Sequence, residues 1–406
     1  MSRIVIIAPG TLPIPAVKGG AVETGIDQLI NENELHKDNI FEVYSCWDKD
    51  AEEKTKFIEK SKFKFYKFGI LDKIEMIIIK SINKVFSLLN IKKSFNIYPR
   101  FTRFICQDIK NIKADAILLK NSVKFVNPIK KVTDIPIVLQ LHNDFLNSNT
   151  PDCNTIAANC YKIVANSKYI KKRICSIESL SPSKVFINMN CLDKSSFIQP
   201  SINEKKDIIK RFNIDENKKN IIFVGRIARV KGIKELLLAL QKIENNKNWH
   251  LLIAGGKWFS SNYKDRYYKE LTKISEKFKN RITFLGYVKH EEIKKLYSVS
   301  SIAVVPSIWE EPAGRVVLEA EAMGIPVVAS NSGGIPEYLG TDSGLIVNKD
   351  KFFIKNLSKS IEELIENPQR ADEMGKRGIE YVKMFTTKRY YEEILSIIRS
   401  EKISDK

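Results

Sequence analysis

Two carboxylates, Glu311 and Glu319, lie eight residues apart in the stretch of this sequence that is best suited to chemistry. Glu311 follows an apolar run that ends at Val305, and Glu319 falls about one turn into a run with helical spacing. Between them, Gly314 would let a ligand approach the backbone, and the free N–H groups of a helix start bind phosphate. A carboxylate one turn further on can accept two hydrogen bonds from a ribose diol. Two glutamates alone would indicate a solvated helix, whereas strand end, glycine and helix start together favour a ligand site.

Two cations, Arg226 and Lys231, follow a second apolar run in a segment that closes on Gly232. Parallel α/β sheets bind ligands at the carboxyl ends of their strands, where these side chains would emerge. Two fixed cations at that edge can neutralise a leaving diphosphate. Taken alone, the segment is typical of an ordinary basic turn, in which we expect Arg229 to be solvated.

The elements that must position these residues form two similar series of strands and helices, separated by a polar stretch at 193–219 that lacks a strand. The opening strand, a loop rich in Pro and Gly, and a helix make the first unit of a parallel α/β sheet. Strands are predicted at 3–8, 41–44, 116–119, 136–141, 163–165 and 185–187, and then at 221–224, 251–254, 282–285, 302–305, 327–329 and 345–347. Helices are predicted at 21–34, 234–243, 291–297, 316–323, 352–366 and 370–398.

The composition limits the partners and the compartment. Lys and Arg number 67 against 48 Asp and Glu, so the net charge is +19. This excess favours nucleic acid, an anionic membrane or a diphosphate ligand, and composition does not choose among them. The six cysteines form no C-x-x-C pair, so we expect reduced thiols and a cytoplasmic protein. No apolar run is long enough for a secretory signal or a membrane span.

The motifs, taken in order, resemble one large family: retaining glycosyltransferases of GT-B fold (group 1 or family 4 type), which include bacterial sugar transferases for lipopolysaccharide, capsule and glycolipid. The resemblance covers nearly all of 221–347, and the first half matches more thinly. The motifs of the second half are Gly225-Arg226, Lys231-Gly232, Phe284-Leu-Gly-Tyr287, Pro306-Ser307, Glu311-x7-Glu319 and Gly333-Gly334-Ile-Pro336-Glu337. Those of the first half are Gly19-Gly20, His142 and Asn190-x-x-Asp193-x-x-x-Phe197.

The resemblance implies an α/β protein with two Rossmann-like domains whose parallel sheets face each other across a cleft. Residues 1–195 would form the acceptor-side domain and 196–385 the domain that binds the nucleotide sugar. Residues 386–406 would form a terminal helix that crosses back to the first domain.

The resemblance also implies roles for single residues. Arg226 and Lys231 would hold the donor diphosphate, Glu319 the ribose, and Glu311 the hexose that is transferred. The remaining donor contacts would be backbone amides around Ala313, Gly314, Arg315 and Val316, backbone N–H groups at Gly19 and Gly20, His142 beside the sugar, and Tyr287 and Val288 beside the base.

Three positions depart from the family's pattern. Glu321 stands where Met is usual, Arg315 where an apolar residue is commoner, and Cys191 where Gly is usual. We expect Glu321 to point at solvent or at a neighbouring helix. We expect Arg315 to add phosphate or acceptor recognition.

The predicted reaction moves a hexosyl unit from a nucleotide diphosphate sugar, expected to be UDP-linked, to a saccharide or lipid-linked saccharide acceptor. The family implies retention of configuration, and no second carboxylate suits a nucleophile, so the leaving phosphate would take the acceptor's proton. We expect no metal and no cofactor beyond the donor itself. Asp48-x-Asp50 has the form of a metal motif, but its charged surroundings favour a solvated loop.

Residues 60–93 interleave lysines with aromatic and aliphatic side chains, within a region, 57–131, that holds 17 basic against 5 acidic residues. One interpretation is a surface that meets anionic lipid on the inner face of the cell membrane. The other is a core-facing helix or strand with its lysines in water, and the two are evenly balanced once the family is considered. A rival of another class, a non-catalytic basic protein that binds membrane or nucleic acid, explains the charge but not the spacing of carboxylates and cations. We expect no nucleic-acid partner, and a phosphorylase would need a pyridoxal-binding lysine motif that is not recognisable.

Overall fold

The computed structural model describes residues 1–243, 248–256, 265–278 and 280–400. They form two compact units, one of Met1–Cys191 with Thr387–Lys406 and one of Leu192–Thr386. The predicted boundary between the two domains lay between residues 195 and 196, and a terminal helix was predicted for 386–406.

Each unit is built on a parallel sheet with a crossover order. The first sheet has seven strands in the order β3-β2-β1-β4-β5-β6-β7, and the second has six in the order β10-β9-β8-β11-β12-β13. Both orders reverse direction beside the first strand, as in doubly wound dinucleotide-binding folds. The strands are β1 (Ser2–Ile7), β2 (Asn39–Cys46), β3 (Ser61–Tyr66), β4 (Ala116–Lys120), β5 (Ile137–Leu141), β6 (Lys162–Ala165), β7 (Val185–Ile187), β8 (Lys219–Val224), β9 (Trp249–Ala254), β10 (Ile282–Gly286), β11 (Ile302–Val305), β12 (Val327–Ser330) and β13 (Gly344–Val347).

The helices cover both faces of each sheet, as parallel sheets require. The helices are α1 (Ala21–His36), α2 (Lys49–Thr55), α3 (Ile70–Leu88), α4 (Pro99–Ile109), α5 (Val126–Lys130), α6 (Cys153–Asn159), α7 (Lys168–Ile174), α8 (Ile202–Phe212), α9 (Ile233–Leu240), α10 (Arg266–Ser275), α11 (His290–Tyr297), α12 (Arg315–Ala322), α13 (Phe353–Glu366), α14 (Pro368–Val382) and α15 (Thr387–Arg399).

Strand β1 shows how the sequence builds the first unit. Successive side chains of a strand point to opposite faces of the sheet. Ile4 and Ile6 pack with α1 and α15, whereas Val5 and Ile7 join the core beneath α4 to α7. Because both faces are buried, the strand reads as an unbroken apolar run rather than an alternating one.

The structure corrects three element predictions. Strand β3 was not among the predicted strands, because these were located by continuous apolar runs, whereas its Ser-Lys-Phe-Lys-Phe-Tyr sequence alternates as in a half-buried edge strand. The single helix predicted at 370–398 is wrong, since α14 and α15 are separated at Phe385, which is buried against Tyr338 and Tyr381. The run that begins at Asp48 is not a loop, because the Asp48 carboxylate caps α2 by accepting from two of its N–H groups.

Helix α3 buries fewer apolar side chains than the other long helices. Of its residues only Asp72 is fully buried, and large aliphatic side chains face outward along its length. Among the described residues, no helix is long and apolar enough to cross a membrane.

Candidate active site

The loop between β11 and α12 holds Glu311, whose side chain is 10% exposed. Its Oε1 accepts a hydrogen bond of 2.6 Å from Ser307 Oγ and pairs with the Lys231 ammonium. A neighbouring turn fixes the backbone, because Gly334 N donates to Glu311 O at 2.7 Å. A Cβ on Gly333 would lie 2.2 Å from the same carbonyl oxygen, so this position must be glycine. The structure therefore brings the predicted Lys231 and Glu311 together on rigid backbone.

The cation segment after β8 is locked to the same loop. Gly232 has φ +74°, and a Cβ there would lie 1.8 Å from Pro306 O. Ile308 N also donates to Val230 O at 3.0 Å. This close packing explains why the segment ends in glycine, and it ties Lys231 to the end of β11.

The other arginines of this segment have different surroundings. Arg226 is exposed directly after β8. The expectation that Arg229 is merely solvated is wrong, since its guanidinium pairs with Glu270 at 2.6 Å and lies over the Tyr267 ring at 4.7 Å. Arg229 is thus bound to two side chains of α10.

The start of α12 offers an anion site. Among the described residues no side chain caps α12, whose N-cap is Gly314. Val317 N donates to Gly314 O at 2.9 Å, so the amides of Arg315 and Val316 are the ones offered to an anion, together with the positive end of the helix dipole. Ala313, Arg315 and Val316, predicted to present backbone amides, flank that glycine. A Cβ on Gly314 would lie 2.9 Å from Tyr338 Cβ, so packing also demands glycine here.

Glu319 lies one turn into α12 with its side chain 12% exposed. Its Oε1 accepts a 3.0 Å hydrogen bond from Arg315 Nε and lies 3.9 Å from His290 Nε2. Glu319 and His290 line one pocket of the second unit, with Asp193, Ser195, Ser196, Glu291, Ile293, Lys294 and Tyr297. Sequence reasoning missed His290 and Lys294, which no motif marks. Arg315, whose role was open, pairs with the carboxylate that was assigned to the ribose.

Tyr287 and Val288 follow β10, and Tyr287 is 43% exposed while Val288 is buried. Since β8, β10 and β11 run parallel in one sheet, the residues that follow them share its carboxyl edge. The two candidate base contacts, the cations and Glu311 therefore lie along the same edge of the second unit.

The first unit carries the remaining candidates at the carboxyl edge of its own sheet. Gly19 and Gly20 have φ +73° and +102°, and they lead into α1. A Cβ on Gly20 would lie 2.2 Å from Glu23 Oε2. His142 follows β5, is 8% exposed, and its backbone N–H donates to Asn121 Oδ1 at 3.1 Å.

Two buried carboxylates beneath the glycine loop were missed by sequence reasoning. Burial raises the pKa of Glu23 to about 7 and that of Asp27 to about 6. Asp27 Oδ2 accepts from Ala16 N at 2.7 Å, which ties the loop to α1. Acidic residues in a first helical turn usually favour the helix dipole, and nothing in the sequence distinguishes Glu23 from such a residue.

Two of the positions that depart from the family's pattern, Glu321 and Cys191, are buried. Glu321 does not point at solvent, because it is 0% exposed and accepts from Gly340 N at 2.9 Å and from Ser343 Oγ. Cys191 is buried beside Gln28 Oε1 at 3.1 Å. The Phe197 side chain lies outside the described part of the structure, although its backbone ends a short 3₁₀ turn.

The possible metal motif has a structural role. Asp48 caps α2 and pairs with Lys18. No group of three His, Cys, Asp or Glu side chains in the described ranges could hold a metal ion.

Comparison with known proteins supports the resemblance to glycosyltransferases. Residues 204–381 match the model of "Glycosyl transferases group 1". Spore coat protein SA of Bacillus subtilis is 25% identical over 404 residues, which cover 97% of this chain and 98% of that protein. An uncharacterized glycosyltransferase of Methanocaldococcus jannaschii is 35% identical over 179 residues, 44% of each chain.

Solved structures agree on the fold. HepE of Anabaena in complex with UDP-glucose superposes with a TM-score of 0.74 at 17% identity, over 99% of this chain and 100% of that one. A glycosyltransferase of Rickettsia africae gives 0.76 at 18% identity, over 98% of both chains. The two parallel sheets and these likenesses confirm the predicted GT-B fold. The second unit thus matches the group 1 glycosyltransferases in sequence, and the whole chain is similar to a relative of 25% identity.

Proposed function

We propose that this protein is a glycosyltransferase that moves a hexosyl unit from a UDP-sugar to a hydroxyl group of a saccharide acceptor that is linked to a lipid, in the synthesis of bacterial cell-surface polysaccharide. The observation that carries the proposal is the Lys231–Glu311 pair, held on rigid backbone beside the uncapped start of α12. HepE, which shares the fold, has been solved with UDP-glucose, and this supports the choice of nucleotide.

The donor contacts follow from the charges at the edge of the second sheet. Arg226 and Lys231 are proposed to bind the diphosphate, together with the first amides of α12. The Glu319 carboxylate would accept hydrogen bonds from both ribose hydroxyls, with Arg315 orienting it. Tyr287 and Val288 would contact the base.

Glu311 is proposed to bind hydroxyl groups of the hexose. In the unliganded site its charge neutralises that of Lys231. When a diphosphate binds Lys231, the carboxylate is free to accept hydrogen bonds from the sugar. On the first unit, Gly19, Gly20 and His142 are proposed to contact substrate at the edge of their own sheet.

The reaction breaks the bond between the anomeric carbon and the diphosphate, and the acceptor oxygen bonds to that carbon from the same face. The acceptor's proton passes to an oxygen of the departing diphosphate, so the products are the glycoside and the nucleoside diphosphate. Arg226, Lys231 and the helix dipole stabilise the charge that grows on the leaving group. No covalent intermediate is proposed, since Glu311 is assigned to the hydroxyl groups of the hexose and no second carboxylate is assigned to the anomeric carbon.

Slow hydrolysis of the donor tests this proposal without knowledge of the acceptor. The purified chain is incubated with UDP-, GDP- and ADP-sugars, and release of the nucleoside diphosphate is measured. We expect release from one or more UDP-sugars, and its loss in Lys231→Ala. Lys234→Ala is the matched control, because Lys234 lies on the next turn and pairs with Glu270. Absence of hydrolysis with every donor, while the chain binds nucleic acid, would favour the non-catalytic alternative.

A further inference from the structure

Helix α3 presents a continuous apolar surface to solvent. Its outward side chains recur at intervals of three and four residues, so they form one sector of the helix. They are between 37% and 77% exposed: Ile70, Leu71, Ile74, Ile77, Ile78, Ile82, Val85 and Leu88. Just beyond the helix, Leu89, Ile91 and Phe95 are also exposed. A contiguous apolar surface of this kind marks an interaction site on a folded protein.

The opposite side of α3 is fixed to the first unit by polar contacts. Asp72 accepts hydrogen bonds of 2.8 Å from Tyr66 Oη and from Gly69 N. Arg100 Nε pairs with Glu75 Oε2 at 3.0 Å. Asn83 exchanges two hydrogen bonds with the backbone of Phe95, at 2.9 and 2.8 Å. These contacts hold the orientation of the helix, so its apolar sector faces outward in the folded protein.

A row of lysines borders one side of the apolar sector. Lys73, Lys80 and Lys84 are exposed and follow one another at seven and four residues, which places them along a single flank. Lys92 and Lys93 follow in the exposed segment after the helix. Lysine stems can lie along an apolar phase while their ammonium groups remain in water. Apolar side chains beside a basic flank are the pattern of a helix that lies in the plane of an anionic membrane.

We propose that α3 binds the surface of an anionic lipid bilayer, with its apolar sector among the acyl chains and its lysines at the phosphate groups. The inference deepens the proposed function and rests on it only for the lipid-linked acceptor, which α3 would keep within reach. Charge complementarity selects this occupant. A second copy of the chain would also carry a net charge of +19 and its own lysine row, so self-association would oppose like charges.

Two parts of the lysine-rich region do not belong to this surface. Lys64, on β3, pairs with Asp108 at 2.5 Å and with Glu42 at 3.7 Å, so it stabilises the edge of the sheet. Lys67 lies over the Trp47 ring at 4.3 Å. The two interpretations of residues 60–93 therefore apply to different segments. Strand β3 fits a core-facing strand, and α3 fits the surface that meets lipid.

Flotation with lipid vesicles tests the proposal on the whole chain. The parent should float with vesicles of phosphatidylcholine and phosphatidylglycerol, and more weakly with phosphatidylcholine alone. Ile74→Asn/Ile77→Asn should lower the partition coefficient by more than about tenfold, because each exposed isoleucine loses its transfer into lipid. The matched control is Ile198→Asn/Ile202→Asn, at exposed positions of the second unit, and it should bind like the parent.

A second set of variants separates charge from apolar contact. Lys73→Gln/Lys80→Gln/Lys84→Gln should weaken binding to the anionic vesicles by on the order of 10²-fold at low salt. The same change at Lys351, Lys355 and Lys359, which are exposed in the second unit, should not.

The inference is overturned if the parent does not float, or if the asparagine variant floats like the parent. It is also overturned if vesicle binding is absent and light scattering shows a parent dimer that the asparagine changes dissociate. Donor hydrolysis is measured in the same samples. Vesicle binding that fails while hydrolysis persists overturns only this inference. Hydrolysis that fails with every donor while vesicle binding persists overturns only the proposed activity.

Discussion

Replacing Glu321 by glutamine should remove a pH-dependent part of the stability of the second unit. The carboxylate is fully buried on α12, where its Oε1 accepts from Gly340 N and Ser343 Oγ. Its other oxygen is buried without a hydrogen-bond partner in the described residues. Burial accordingly raises the pKa of Glu321 from 4.5 to about 7.

The direction of the effect follows from linkage. Between about pH 4.5 and 7 the folded carboxyl keeps its proton while the unfolded one has released it, so the free energy of unfolding falls as the pH rises. A pKa that is raised from 4.5 to about 7 corresponds to about 3 kcal/mol. For a unit of this size, that is on the order of 6–12 °C in Tm. Glutamine can keep both hydrogen bonds but cannot titrate.

Differential scanning calorimetry at several pH values between about 5 and 8 measures the effect. Glu321→Gln should gain Tm relative to the parent as the pH rises, and the gain should level off above pH 7. The control is Glu366→Gln, at an exposed position of α13, which should follow the parent. Parallel profiles for the parent and Glu321→Gln would refute the reasoning, because the buried carboxyl would then have no raised pKa.

Three further predictions concern the site. Activity should persist in chelator, because Arg226 and Lys231 are proposed to supply the positive charge at the diphosphate; full dependence on Mg²⁺ or Mn²⁺ would contradict this role. Glu319→Gln should mainly raise the donor KM, since a ribose contact is much the same in the ground and transition states; a fall in kcat alone would place Glu319 near the breaking bond. Gly232→Ala should destabilise the fold by about 2 kcal/mol or more in urea unfolding, because its Cβ would lie 1.8 Å from Pro306 O. Gly19→Ala, at φ +73° with nothing within 4 Å, should lose only about 1–2 kcal/mol, and equal losses would show that the Pro306 contact does not matter.

The sequence predicted the features that depend on local pattern. Apolar runs located all six strands of the second sheet. The four inner strands are buried on both faces and are therefore continuous in hydrophobicity, and the two edge strands are short apolar runs as well. The helix from Ala21 and the helix after Gly314 were also predicted, because glycine and apolar spacing mark their starts.

The features that the sequence did not predict depend on partners distant along the chain. Glu321 resembled a surface glutamate, and only its contacts with Gly340 and Ser343 show that it is buried. Arg229 resembled a solvated residue in the sequence, and only the structure shows that it pairs with Glu270. Apolar spacing in α3 predicts a buried face, but nothing local shows that the face lies on the outside.

The central claim is that Arg226 and Lys231 stabilise a leaving diphosphate, and kcat for donor turnover tests it most directly. Arg226→Ala and Lys231→Ala should each lower kcat by on the order of 10²–10³-fold, and the double variant should lose less than the product because both serve one charge. Arg229→Ala and Lys234→Ala are the matched controls, since both side chains are paired with Glu270, and they should keep the parent's kcat. Circular dichroism must first show that each variant is folded, because Lys231 neutralises the buried Glu311. A folded Arg226→Ala/Lys231→Ala protein with near-normal kcat would contradict the account and remove Gly225–Gly232 from the donor site.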